Sequence, residues 1–315
     1  MEEVLKVVII GSGPAGLTAA IYCARGNLEP VVITGRTPGG QLMITTDVDD
    51  FPGFSDGIQG PELMDKMIAQ AKRLGTKLIY EDVSSVNLKS HPFIIKTETS
   101  ELKTRSIIIA TGASAKWLGL PSEQKFLGKG VSACAVCDGA FFKGKVIAVV
   151  GGGDTAMREA QHLSKFGSRV LVIHRRGEFR AQAALQEAVK SKANIKFLMN
   201  HTVEEVLGES KVTGLKVRNV QTGEVSEIQS DALFVAIGHQ PSTEFLKGEL
   251  ELDDRGYVVV KDETRTSVEG VFVAGDAADQ KYRQAVTAAG TGCKAAFDVE
   301  EYLEEIKLPT DGTPY

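Results

Sequence analysis

The sequence predicts an α/β protein built from two doubly wound, three-layer units with parallel sheets, the second inserted into the first. Three observations carry that expectation. Glycine makes up 33 of 315 residues, above the usual share of about 7%, and its informative members fall in two clusters. Each cluster follows a short apolar run and opens a helix-forming stretch that leads to a β-branched run. Each copy then closes, at a comparable distance downstream, on an apolar run ending in glycine. A matched pair of openings and closings points to an internal duplication.

The elements follow in chain order. Val7-Val8-Ile9-Ile10 reads as a strand, Gly11-Ser12-Gly13-Pro14-Ala15-Gly16 as a turn, residues 17–24 as a helix and residues 30–34 as a second strand. Residues 61–74 form a helical pattern that Gly75 stops. Between residues 78 and 97, short β-rich runs broken by Asn and His-Pro suggest hairpins. Residues 107–112 (Ile-Ile-Ile-Ala-Thr-Gly) close the first copy. The second copy repeats the order: an apolar run at 146–150, Gly151-Gly152-Gly153-Asp154-Thr155-Ala156, a helix over 157–165 and a strand over 169–174. It closes at 233–238 (Leu-Phe-Val-Ala-Ile-Gly). The tail offers β-rich runs at 257–260 and 271–274, then Gly275-Asp276 and a helix over 285–303. That tail has no glycine turn of its own, so it is expected to complete the first unit. The domains are then 1–114 with 243–315, and 115–242. Residues 309–315 read as a frayed end.

Composition excludes several classes. At 43% hydrophobic and 24% charged residues the chain is ordinary globular material, neither disordered nor collagenous. A net charge of -5 offers no bulk attraction to nucleic acid or anionic membrane. No apolar run nears the ~18 residues of a membrane-spanning helix. Met1-Glu2-Glu3 lacks the basic start of a secretion signal. A cytoplasmic protein is expected.

The glycine turns carry the first chemical reading. A G-x-G-x-x-G turn between strand and helix lets the chain bend sharply, lets a pyrophosphate approach the backbone, and aims a helix N-terminus at its negative charge. One such turn is weak evidence of a ligand; two, each in the right context, imply two dinucleotides in Rossmann-like units. The strand after the turn normally ends in an acidic residue for the ribose hydroxyls. The first copy ends instead in Thr34-Gly35-Arg36, while the second ends in His174-Arg175-Arg176 with Arg180 close behind. Guanidinium groups at that corner suit a 2′-phosphate, so the second unit should prefer NADPH to NADH.

Four cysteines are too few for a disulfide scaffold, but Cys134 and Cys137 form a C-x-x-C pair followed by Asp138. Such a pair cycles redox equivalents or binds metal. A structural zinc site needs four ligands, and neither a second pair nor a suitably spaced histidine stands nearby, which favours redox chemistry. Asp138 could serve as a proton donor to a departing thiolate. Cys23 and Cys293 read as small core residues. A nicotinamide delivers hydride and a disulfide accepts two electrons; a flavin mediates well between them, and the first unit is the natural place to hold it.

Taken together, GSGPAG (11–16), GGQL (39–42), ATG (110–112), CAVCDG (134–139), GGGDTA (151–156), HRRGEFRA (174–181), Gly275-Asp276 and RQA (283–285) span the whole chain. In this order the sequence resembles the bacterial-type, low-molecular-weight thioredoxin reductases of the class II pyridine nucleotide-disulfide oxidoreductases. The resemblance implies FAD held by Gly11, Ser12, Gly13, Pro14, Ala15, Gly16, Gly40, Gln41, Leu42, Thr46, Ala110, Thr111, Gly112 and Gly275, with Asp276 at its ribityl or phosphate portion and Arg283, Gln284 and Ala285 along the isoalloxazine. It implies NADPH on Gly151, Gly153, Asp154, Thr155, His174, Arg175, Arg176, Arg180, Ile237 and Gly238. Cys137 would receive electrons from the flavin, Cys134 would attack the thioredoxin disulfide, and Asp138 would move the proton. A homodimer and a rotation of the NADPH domain between half-reactions are implied too, with hinges at 112–114 and 239–242. The rival within enzymes is a flavin disulfide reductase serving a glutaredoxin-like or peroxiredoxin-linked partner. The flavoprotein of alkyl hydroperoxide reductase carries an added N-terminal domain that this sequence is not expected to have. A redox-sensing module without turnover is the rival from another class; it would need no cysteines beside a second nucleotide site.

Overall fold

The computed structural model describes residues 4–306; the frayed end expected at 309–315 lies outside the described residues. The chain divides into two compact units, Met1–Ser114 with Gln240–Tyr315, and Ala115–His239.

The first unit is organised by a seven-stranded sheet. Val4–Ile10 pairs in parallel with Val31–Ile33 on one side and Glu101–Ile109 on the other, and Lys77–Ile79 extends the sheet beyond Val31–Ile33. The long strand Glu101–Ile109 serves two neighbours. Its first half pairs antiparallel with Phe93–Thr97, while Ile107 to Ile109 pair in parallel with Val271–Val273. The tail therefore adds a strand to this sheet. Successive strand residues face opposite sides, and both sides are covered. Val7 and Ile9 pack with Leu17, Ala20, Met64, Ala295 and Val299 from three helices. Val8 and Ile10 pack with Val86, Phe93, Leu246 and Val271 on the other face. A strand buried on both faces reads as an unbroken apolar run, which is why Val7 to Ile10 shows no alternation. The helices Pro14–Arg25 and Ala285–Glu305 touch closely enough that a Cβ on Gly292 would lie 2.1 Å from Ala15 O.

The second unit has a five-stranded parallel sheet in the order Val131–Ser132, Ala232–Val235, Val146–Val150, Arg169–His174, Ile195–Met199. Ile147 and Val149 face the helix Asp154–Leu163 through Ala156, Met157 and Ala160. Ala148 and Val150 face Val206, Leu215 and Val217 of an antiparallel sheet made by His201–Gly208, Val212–Asn219 and Val225–Gln229. The third layer here is thus a sheet rather than helices.

The segments that join the units, Ala113–Ala115 and His239–Pro241, pair as a two-stranded ribbon. At one end Ser242 N donates to Gly112 O (3.0 Å); at the other Lys116 N donates to Gly238 O (2.9 Å).

Two expectations need correction. Residues 257–260 form no regular strand, only the single bridge Leu252–Val258. Their amides are taken individually: Val258 N donates to Ala277 O and Val259 N to Glu251 O, each at 3.0 Å. Between 78 and 97 there is one hairpin, Val83–Asn87 with Phe93–Thr97, because Lys77–Ile79 joins the parallel sheet as its edge. Among the described residues no helix is long and apolar enough to cross a membrane.

Candidate active site

The first glycine turn is shaped by close approaches that only hydrogen permits. A Cβ on Gly11 would meet Ala110 O at 2.2 Å, and one on Gly16 would meet Gly11 O at 2.0 Å, so the helix sits directly on the turn. Gly13, by contrast, faces open space and caps the helix, with Pro14 at its first position. The first N–H groups of that helix are therefore available to an anion. Ser12 is buried; its hydroxyl donates to Thr34 O (2.9 Å) and accepts from Gly39 N (3.0 Å). Through Gly39 this fixes the 3-10 turn Gly40–Ile44, which carries Gln41 and Leu42, and a Cβ on Gly40 would stand 3.3 Å from Gly13 Cα. Thr46 O accepts from Gly60 N (2.8 Å) at the start of the next helix.

Around this turn the residues suit a flavin dinucleotide. Ala110 N donates to Ile10 O (2.8 Å), which lays the closing run beside the first turn. Thr111 Oγ1 is buried without a hydrogen-bond partner, and Gly112 faces open space. Buried hydroxyls are normally satisfied, so Thr111 has a donor and acceptor to offer a polar ligand. Asp276, in the short turn Gly275–Ala277, has its pKa raised to about 7; burial is the main cause, Asp279 adds to it and Arg283 opposes it. Arg283 has φ 50°, in the left-handed region. Asp279 holds it there, its carboxylate accepting from the amides of Lys281 (2.8 Å), Tyr282 (2.9 Å) and Arg283 (3.2 Å). Gln284 then caps the helix that begins at Ala285, in a capping box with Thr287, so the RQA segment presents a helix N-terminus.

The second turn repeats the first. A Cβ on Gly151 would meet Ala236 O at 2.4 Å, while Gly153 faces open space and caps the helix carrying Asp154 and Thr155. Arg175, Arg176 and Arg180 are exposed on the loop after the strand Arg169–His174. His174 is buried, and its pKa is lowered by burial first and by the three guanidinium groups, against a hydrogen bond to Glu178 O. Its ring lies against the turn, where a Cβ on Gly152 would come within 2.1 Å of Cε1. Gly238 faces open space beside Ile237, which is exposed.

Cys134 and Cys137 are joined as a disulfide, with Cα atoms 5.4 Å apart. Cys134 caps the short helix Ala135–Asp138, and its Sγ accepts from Cys137 N at 3.2 Å. An amide donor on that sulfur favours negative charge there. Cys134 N itself donates to the buried Ser132 Oγ (3.0 Å), and Asp138 N donates to Cys134 O (3.1 Å). Val136 and Phe141 are exposed beside the pair. Among the described residues no group of three or more His, Cys, Asp or Glu is arranged to hold a metal.

Sequence reasoning missed Ser132, Gly152 and Asp279. The Asp279 turn had a signal, an Asp preceding amides that its side chain can reach. The other two depend on contacts that spacing does not reveal.

Two nucleotide-type turns with a disulfide placed just before the second define a dinucleotide-dependent disulfide oxidoreductase. The family described as pyridine nucleotide-disulphide oxidoreductase matches residues 5–292, and the chain belongs to it. It is 51% identical to thioredoxin reductase of Rickettsia conorii, over 97% of this chain and 100% of that one. It is also 51% identical to NADPH-dependent thioredoxin reductase 3 of Arabidopsis thaliana, over 98% of this chain and 60% of that longer protein. Among solved structures, thioredoxin reductase from Giardia duodenalis superposes with a TM-score of 0.93 at 44% identity, covering 96% of this chain and 100% of that chain.

Proposed function

We propose that this protein is an NADPH-dependent flavoenzyme that reduces the disulfide of thioredoxin. The observation that carries the reading is the Cys134–Cys137 disulfide in the unit whose glycine turn is flanked by Arg175, Arg176 and Arg180. FAD is assigned to the turn at Gly11 to Gly16 and NADPH to the turn at Gly151 to Thr155; the open space at Gly13 and Gly153 supports both. The flavin supplies the relay that converts a hydride into two electrons for a disulfide.

The chain's own groups do the rest. In the reduced pair, Cys134 Sγ attacks one sulfur of the thioredoxin disulfide and displaces the other as a thiolate. Asp138, next to the pair, protonates that leaving group. Cys137 Sγ then attacks Cys134 Sγ, restores the 134–137 disulfide and releases the second thioredoxin thiol. The amide on Cys134 Sγ supports its role as the attacking atom. The ribbon at 113–115 and 239–241 is the segment about which the NADPH unit would turn to bring first nicotinamide and then disulfide to the flavin. A homodimer in the cytoplasm is part of the same reading, and the molar mass in solution by light scattering tests the first point.

The deciding experiment follows NADPH oxidation with thioredoxin, glutaredoxin and an aromatic disulfide side by side. Turnover is expected with thioredoxin. Turnover only with another redox protein would move the assignment to that partner, and none with any acceptor would remove the enzymatic reading.

A further inference from the structure

The two glycine turns differ at one position, and the difference extends to the strand beside each. In the first unit the residue after the first glycine is Ser12, bonded to Thr34 O, 22 residues on. At the same positions of the second copy stand Gly152 and His174. A Cβ on Gly152 would lie 2.1 Å from His174 Cε1, 2.3 Å from Nδ1 and 2.5 Å from Nε2, and these are its three nearest atoms. Gly152 does not have a left-handed φ, so the imidazole, not the backbone, excludes a side chain there.

The ring is well fixed. His174 is 6% exposed, its Nε2 lies 3.1 Å from Glu178 O, and it packs against Phe179 with centroids 5.4 Å apart. Gly152 O in turn accepts from Arg180 N (2.8 Å) and Ala181 N (3.2 Å), and Asp154 Oδ1 accepts from Gln182 N (2.9 Å). The loop bearing Arg175, Arg176 and Arg180 is thereby tied to the phosphate turn at both ends. Burial and the neighbouring guanidinium groups disfavour protonation of His174, so a neutral ring fills the space.

We propose that His174 is a positioning residue: with Gly152 it locks the phosphate turn to the arginine loop and so sets the preference for a nucleotide bearing a 2′-phosphate. The pair does by volume what Ser12 and Thr34 do by a hydrogen bond. The proposal rests on the NADPH reading above, and its test separates the two.

The test titrates the flavin-loaded protein with adenosine 2′,5′-bisphosphate and with 5′-AMP by calorimetry, with thermal melting as the folding control. A methyl forced against a packed ring makes the turn shift, as overpacking does in any well-filled site, so Gly152→Ala is expected to weaken bisphosphate binding about tenfold. His174→Ala should narrow the preference for bisphosphate over AMP. The double variant Gly152→Ala/His174→Ala, in which the new methyl meets no ring, should bind AMP more tightly than Gly152→Ala alone. Wild-type binding by Gly152→Ala, or a double variant no better than it, overturns the proposal. If Gly152→Ala melts before it can be titrated, Gly152→Ser/His174→Thr transplants the first unit's pair. That variant should lose the preference for the bisphosphate over AMP, and an undiminished preference again overturns the lock. A wild-type protein with no preference for the bisphosphate would instead refute the NADPH reading, and the lock's role with it.

Discussion

Asp276→Asn offers a quantitative probe of the flavin unit. Burial raises the Asp276 carboxyl from 3.8 to about 7. An acid whose folded value exceeds its unfolded value binds more protons in the folded state, so stability falls as pH rises between the two values. Below 3.8 the carboxyl is protonated in both states and costs nothing; above 7 the full penalty is present. At about 1.4 kcal/mol per pH unit, the penalty amounts to about 4 kcal/mol in the flavin-free protein. Asn keeps the shape and removes the charge. The flavin-free variant should therefore gain up to about 4 kcal/mol over wild type at pH 8 and almost none at pH 4. Urea unfolding of both proteins across that range measures it. A variant no more stable at pH 8 than wild type, or a gain independent of pH, would refute the reasoning. Flavin retention gives the opposite sign: if Asp276 accepts hydrogen bonds from the ligand's hydroxyls, the Asn variant should hold FAD more weakly.

Other perturbations address the remaining parts. Arg175→Ala/Arg176→Ala should weaken NADPH by roughly a hundredfold, since charge-assisted hydrogen bonds are worth about 1.5–3 kcal/mol each; NADH binding, measured in parallel, should change little, and equal losses would remove the 2′-phosphate role. Cys134→Ser should abolish thioredoxin reduction while NADPH still bleaches the flavin band in a stopped-flow trace; retained turnover would reassign the attacking thiol. Gly16→Ala places a methyl carbon 2.0 Å from Gly11 O, and overpacking of that kind costs about 1–3 kcal/mol. Its melting temperature and its FAD content should both fall, and an unchanged protein would mean the turn is softer than its geometry implies.

Elements with a local cause were legible in the sequence. The strand over 169–174 is bounded as expected because its apolar run is buried on both faces, and the glycine turns are located by their spacing together with the apolar run before and the helix-forming stretch after each. The run at 257–260 misled because β-branched residues state a preference but do not supply a partner strand; here Val258 packs into the apolar cluster on one face of the seven-stranded sheet without joining it. The antiparallel layer of the second unit could not be anticipated, since amphipathic runs do not say what they will cover. At the site, residue types were readable, but the contacts that orient them were not. Ser132 under Cys134 and His174 under Gly152 join positions whose sequence neighbours give no hint of the pairing.

The ribbon joining the two units has a consequence for the modularity of the chain. Gly112 and Ser242 are hydrogen-bonded neighbours, as are Lys116 and Gly238, so each unit's ends already meet at the ribbon. Excising the inserted segment and bridging 112 to 242 with a few residues would leave every strand of the seven-stranded sheet in one uninterrupted chain. The excised piece would begin and end at adjacent points, ready for circular permutation or for transfer into another loop.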